Sequence, residues 1–472
     1  MYDLLSIGSC VLYALLVGFL LIVNPKLGAI AAILPLFTWF VIIGKKNTLY
    51  LLFLFAPFQA SPFLSQNLLN IPGAKPFSLI SVMALIVCFY HGGELFFQPG
   101  TTRRKVMVYL GIYFTCFSLA AFRSLNYLNL LHMLDPEQIS SSPVNYLLSF
   151  YVKPSLYLVS FIYIINHITS EEDIEKTSTF LCSVLGLISI VIILLSFSHG
   201  TVGMVRERVT VWGEYFGYHY NTIGSFYIIL GPLVIVRAIK KRFWDVFNWC
   251  LALMALALLQ SRSSLLIFLF ANVLMLFFLR NTKELIALFT ILLLFSLYYL
   301  PRFLLDTLVT GFGSGNLDAI FTGRIDYIWI PLITEWLANP ILLLFGKGQL
   351  AMLTSQAYLK GTILRTISVH NAFLEFFADN GIILLSLLIF YLIKFLKLAW
   401  HNVKLINHDI GWALLTSIIC YLSSTISGRS FYPSSHNFFL FPIIALMINY
   451  LRLHNSFLSQ NVIFNKSTEE KN

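Results

Sequence analysis

Charge is scarce in this sequence. Asp, Glu, Lys and Arg make up 11% of its 472 residues, where a soluble globular domain carries about 25%. With 58% apolar residues beside so few charges, the chain cannot form one soluble core. Cysteine is scarce too. The six, at 10, 88, 116, 182, 250 and 420, all fall in apolar runs with neither paired nor metal-like spacing. They read as small buried hydrophobes, and no disulfide framework is expected. HExxH, CxxC and clustered acidic ligands are absent, so a metal site has no support. No fixed-period repeat, low-complexity tract or second soluble domain stands out. The first apolar run, 4–23, lacks a positive leader and an A-x-A-like cleavage site, which fits a first span better than a cleaved signal peptide.

What is present is a succession of apolar runs, with a mean hydropathy of +0.81. A helix needs about 20 apolar residues to cross the hydrocarbon core. Spans are expected at 4–23, 27–43, 48–64, 76–90, 105–122, 146–165, 178–197, 220–237, 244–260, 263–279, 284–300, 372–393, 410–427 and 436–451. The expected fold is therefore an all-α polytopic transmembrane helix bundle of about 12–14 spans, with one large outer-face loop containing amphipathic helices. The formal charge of +10 does not point to nucleic acid, because Lys and Arg sit in short clusters between the runs. Such clusters orient a membrane protein. Lys45, Lys46, Arg103, Arg104, Lys105, Arg237, Lys240, Lys241 and Arg242 place both termini in the cytoplasm and the 301–370 interval outside. The chain then divides into N-terminal spans (1–200), spans with outer Arg-bearing loops (201–300), the extracytoplasmic loop (301–370) and C-terminal spans with a cytoplasmic tail (371–472). Outer arginines that break the positive-inside pattern gather near one surface: Arg206, Arg208, Arg262, Arg324 and Arg429. All five fall on the outer side.

The loop and its borders hold the candidate chemistry. Arg262, in LLQSRSSLL, either snorkels at the interface or binds a phosphate with Ser261 and Ser263. A guanidinium suits the second role because it donates in a planar fork and stays charged. Arg324 precedes a stretch with apolar positions at helical spacing, expected as an interfacial amphipathic helix with Trp329 and Trp336 as belt anchors. Arg324 either pairs locally or faces an anion at that helix's N-terminus. His370 and Asn371 open the run at 372–393. His370 is either an interfacial cap or a general base, which arginine neighbours would keep neutral. LFGKG (344–348) is too short for a P-loop and reads as a sharp glycine turn. Asp326, Glu335, Glu375 and Asp379 read as outward acids without pair spacing. Arg206 and Arg208 flank Glu207, and either pair with it or touch substrate.

The order of these landmarks resembles the O-antigen ligase/polymerase family of bacterial membrane glycosyltransferases. The resemblance covers roughly 200–390. It rests on Arg208 followed by Asn221, the S-R-S at 261–263, the GR…W…NP…FGKG block at 323–348, and the H-N at 370–371 leading to Gly381. It implies outer-face chemistry on an undecaprenyl-diphosphate-linked glycan donor, with a glycan or lipid-linked acceptor and no cofactor or metal. By position, Arg262, Arg324 and His370 look like the family's sensitive residues, with Arg206, Arg208, Ser261, Ser263, Trp336 and Asn371 at the substrate. Arginines would stabilise the leaving diphosphate. His370 would take the proton from an acceptor hydroxyl that attacks with inversion. The expected location is the cytoplasmic (inner) membrane, with the active site on its periplasmic or extracellular face. A chain-length regulator protein is a further partner that the resemblance implies as an expectation. The basic spacer Lys360–Arg365 matches no family role.

The expected activity is polymerisation of lipid-linked repeat units. The alternative within the family is a ligase that moves the finished glycan to lipid A-core or another acceptor. A flippase is the rival from another class. The rarity of ionisable residues inside the spans and the lack of a two-fold repeat count against it.

Overall fold

The computed structural model describes residues 45–62, 75–97, 101–198, 209–240, 242–259, 261–279, 323–363 and 369–469. The spans expected at 4–23, 27–43 and 284–300 lie outside these residues, as do Arg206 and Arg208. Among the described residues there is no strand, and every remaining expected span falls on a helix. In chain order the main helices are α1 (Lys45–Phe55), α2 (Pro76–Phe97), α3 (Thr101–Ser124), α4 (Pro143–His167), α5 (Glu171–Ser198), α6 (Tyr220–Ile239) and α7 (Phe243–Leu259). They continue as α8 (Arg262–Leu279), α9 (Ile330–Ala338), α10 (Pro340–Phe345), α11 (Ala372–Ile406), α12 (Asp409–Ser424) and α13 (Leu440–Glu469). Among the described residues, six helical stretches are long and apolar enough to cross a membrane, and four shorter helices are apolar. The protein is an all-α, multi-pass membrane protein.

Helix α6 is the axis of the bundle. Its sequence is apolar nearly all round, and a helix of that kind must be enclosed on every side. It packs against α5, α7, α8 and α12. Gly224 permits the closest of these approaches, because a Cβ there would lie 2.2 Å from Oγ of Ser264 on α8. Helix α11 is the opposite case: within its most apolar stretch only 6% is buried inside the protein, so its hydrophobic face turns outward to lipid.

Two boundaries differ from expectation for local reasons. The run at 48–64 gives a helix only as far as Phe55, then a 3-10 turn at Ala56–Phe58. Pro57 disfavours helical backbone at the residue before it. The run at 372–393 continues to Ile406, where Asn407 in the left-handed region (φ 52°) ends the helix.

The loop after residue 322 is no separate layer. Ile328, Leu332, Trp336, Met352 and Leu353 share a core with Phe117 of α3 and Phe376 of α11. Its anchor is a break in α11. Gly381 has φ 79°, which interrupts the helical ladder and frees the carbonyls before it. The 346–348 turn supplies the missing donors: Lys347 N to Ala378 O at 3.0 Å and Gly348 N to Asp379 O at 2.9 Å. The glycine turn expected from LFGKG is thus present, with Gly346 at φ 69° and Gly348 at φ 106°.

Several side chains sit differently from the sequence reading. Trp336 is fully buried and donates its indole N–H to Ala378 O at 3.2 Å. It packs the loop onto α11 and anchors in no interfacial belt. The preceding segment begins with a π turn, Ile325–Trp329, because Pro331 removes a donor from the ladder. Asp379 is buried, not outward, with Oδ1 accepting from Ala351 N at 3.1 Å. Glu335 caps the short helix Gln356–Leu359 through the amides of Gln356 and Ala357, each at 2.9 Å. Cys250 is exposed, whereas Cys88, Cys116, Cys182 and Cys420 are buried.

Candidate functional site

The two ends of the bundle carry different electrostatics. At one end basic residues are matched with acids: Arg237 Nε to Asp245 Oδ1 at 2.8 Å, His454 to Glu171 at 2.8 Å, and Lys46 with Asp173. At the other end five chain junctions meet, and basic groups collect beside neutral hydrogen-bonding partners. These junctions are the start of α6, the α7–α8 turn, the turn before α9, the start of α11 and the α12–α13 loop.

Each junction is fastened to the next. His219 caps α6, its Nδ1 accepting from Asn221 N at 3.3 Å. Asn221 Oδ1 accepts from Ser261 Oγ at 2.9 Å, and Ser261 lies 2.7 Å from Ser264. Ser264 Oγ accepts from an Nη of Arg429 at 3.2 Å, which ties in the α12–α13 loop. Thr222 Oγ1 lies 3.2 Å from His436 Nε2. The turn bearing Arg324 is held by Trp329, whose indole donates to Val369 O at 2.9 Å, one residue before His370. That bond brings Arg324 and His370 to one place although 45 positions separate them in the chain.

His370 is half-buried, with a left-handed backbone (φ 57°) that a non-glycine residue seldom adopts. Such a conformation costs on the order of 1–3 kcal/mol and persists only where its surroundings impose it. Asn371 imposes it from one side by capping α11 through the amides of Phe373 and Leu374. Gly428 leaves room for the imidazole on another side, since a Cβ there would stand 3.2 Å from His370 Nδ1. Burial pushes the imidazole pKa down to about 4, with Arg324 next in effect and then His219. His370 is therefore neutral near pH 7 and able to accept a proton.

Three of the sequence candidates converge here: His370, Arg324 and the serine turn. Ser261 is buried within the hydrogen-bonded chain just described, and Ser263 is half-buried on the first turn of α8. Arg262 opens α8 in that same turn. Asn371 serves as a helix cap, and Trp336 lies in the core. Three residues at this end were not assigned a role from sequence: His219, His436 and Arg429. Only Arg429 carried a signal, its place on the side where positive charge is disfavoured.

Residues 247–389 match the family model described as O-antigen ligase. Over this stretch the chain is similar to the O-antigen ligase family and forms an O-antigen ligase-like domain. That domain runs from α7 to within α11 and contains Arg262, Arg324 and His370. The O-antigen ligase domain stops short of Arg429 and His436, and begins after His219. No curated protein matches the chain. The similarity supports membrane glycan processing of the O-antigen ligase/polymerase type.

Proposed function

We propose that the protein is a membrane glycosyltransferase that joins undecaprenyl-diphosphate-linked repeat units into polysaccharide. The observation that carries this reading is the placing of His370 beside Arg324, through the Trp329 to Val369 hydrogen bond, inside a stretch similar to the O-antigen ligase family. His370 accepts the proton of an acceptor hydroxyl. The hydroxyl oxygen forms a bond to the anomeric carbon as the bond from that carbon to the diphosphate oxygen breaks. The diphosphate departs with the bonding pair, and Arg324, with Arg262, offsets its charge. Attack opposite the leaving group inverts the anomeric centre. The reacting end faces away from the cytoplasm, and the ion-paired end with Arg237 and Lys240 faces inward.

A second reading is favoured by the description of the matched family: a ligase that moves the finished glycan to lipid A-core or another acceptor. Both use the same bond exchange. Gene deletion in the native host, followed by electrophoresis of surface glycans, separates them. Acceptors carrying a single repeat indicate a polymerase. Bare acceptors with accumulating lipid-linked polymer indicate a ligase. Repeat units trapped on the cytoplasmic leaflet would instead mean a flippase. Complementation with His370→Ala or Arg324→Ala is expected to fail; full restoration by either would overturn the site.

A further inference from the structure

Arg429 lies in the α12–α13 loop, beyond the O-antigen ligase domain, and the chemistry above makes no use of it. It is 3% exposed. A guanidinium offers five N–H donors, yet among the described residues its hydrogen bond is to the neutral Ser264 hydroxyl, and its Nε has no acceptor. No carboxylate pairs with it among the described residues. The nearby acid of α11, Glu375, is turned to the Ser430 side chain. A buried cation without a counter-charge is costly, and burial alone pushes this guanidinium down to about 10.

The neighbours of Arg429 repeat the pattern. His436, within the field of both Arg429 and His219, has Nε2 beside Thr222, while its Nδ1 has no hydrogen-bond partner among the described residues. His219 also lies within the field of His370. The basic groups therefore form a continuous series from Arg324 through His370, His219 and His436 to Arg429. From His219 the series runs inward, His219 being exposed, His436 half-buried and Arg429 buried; on the other side of His219, His370 and Arg324 are half-buried. An exposed entrance leading to a fixed, uncompensated charge draws in an anion, and the charge acts strongly because water is excluded around it.

We infer that His219, His436 and Arg429 form a second anion subsite, across His370 from Arg324, that takes a phosphate-class group. A diphosphate presents two phosphoryl groups that two separate cationic ends can address, whereas a single phosphate presents one. The assignment rests on the reading of this end as the site of a lipid-linked diphosphate. It adds that Arg324 and Arg429 address different ends of the same anion.

The test uses the full chain in lipid nanodiscs, with undecaprenyl diphosphate and undecaprenyl monophosphate as probes and inorganic pyrophosphate as competitor. The wild type is expected to prefer the diphosphate by at least tenfold. Arg429→Gln should reduce that preference to about twofold or less, and Arg429→Lys should restore most of it. Arg324→Gln should weaken binding of both lipids. Thermal unfolding of each variant identifies a protein that fails to fold; if Arg429→Gln does, His436→Gln carries the test and should lower diphosphate binding at least threefold. An unchanged preference in folded Arg429→Gln, or unchanged binding in His436→Gln, overturns the subsite. If Arg324→Gln and His370→Ala weaken lipid binding while Arg429→Gln and His436→Gln do not, the donor reading stands and the subsite falls. If neither lipid binds but pyrophosphate binds in an Arg429-dependent way, the subsite stands and the donor reading falls.

Discussion

Gly428 lies against the imidazole of His370, so close that a methyl group on it would sit 3.2 Å from Nδ1. Its own φ of 115° is one that L residues rarely adopt. Gly428→Ala should therefore combine a backbone cost of about 1–2 kcal/mol with displacement of the ring. We expect glycan transfer to fall at least tenfold in membranes, with unfolding temperature lowered by only a few degrees. Wild-type transfer from this variant would show that the ring position does not matter.

The pH response of His370 follows from its surroundings. Its folded pKa of about 4 lies below the ordinary value of 6.5. Between those values the unfolded chain binds the proton more readily, so His370 makes stability rise with pH through that window and fall as acid is added. Activity should hold as pH falls until the imidazole itself protonates. Arg324→Gln removes a nearby positive charge and should move the acid limb of the pH–rate profile upward. A limb that stayed in place would mean that burial, the first cause, acts alone.

The break at Gly381 predicts a stability effect distinct from chemistry. A Cβ there would lie 2.2 Å from Leu344 O, on a backbone with φ 79°. Gly381→Ala should destabilise by on the order of 3 kcal/mol, seen as a clear drop in unfolding temperature in detergent. Unfolding temperatures within a degree of wild type would contradict the interlock of loop and helix.

Trp336 allows a graded version of that test. Trp336→Phe leaves Ala378 O with the Lys347 amide as donor and should cost about 1 kcal/mol. Trp336→Ala also empties a fully buried site and should cost about 3–5 kcal/mol. Equal losses from both would assign the whole effect to the hydrogen bond.

The ion-paired end provides the contrast. Arg237 bonds Asp245 at 2.8 Å and donates to Thr179 Oγ1 at 2.6 Å, with both charged side chains largely buried. Arg237→Ala should lower the unfolding temperature while leaving transfer by the folded fraction near wild type. A specific loss of transfer with stability intact would place chemistry at that end as well.

Helices were legible in the sequence because lipid demands a length and a composition that few other environments do. Charge sidedness likewise brought Arg262, Arg324 and His370 to one end. Trp336 was misread because an amphipathic stretch looks alike whether its apolar face meets lipid or protein; the partner here is the broken α11, and Gly381 shows only as one glycine in an apolar run. His219 and His436 left no mark because they come together through Thr222 and the α12–α13 loop, by contacts between positions more than 200 residues apart. Asp379 was read as outward because spacing says nothing of the loop that folds over it.

The break in α11 also divides the labour along that helix. The segment Ala372–Asn380 bears His370 and Asn371 at its head and is gripped at its tail by the amides of Lys347 and Gly348. It works as a short lever clamped to the 346–348 turn, and a shift of that turn would swing the imidazole; the helix beyond Gly381 packs into the same core through Leu384, Leu385, Leu388 and Ile389.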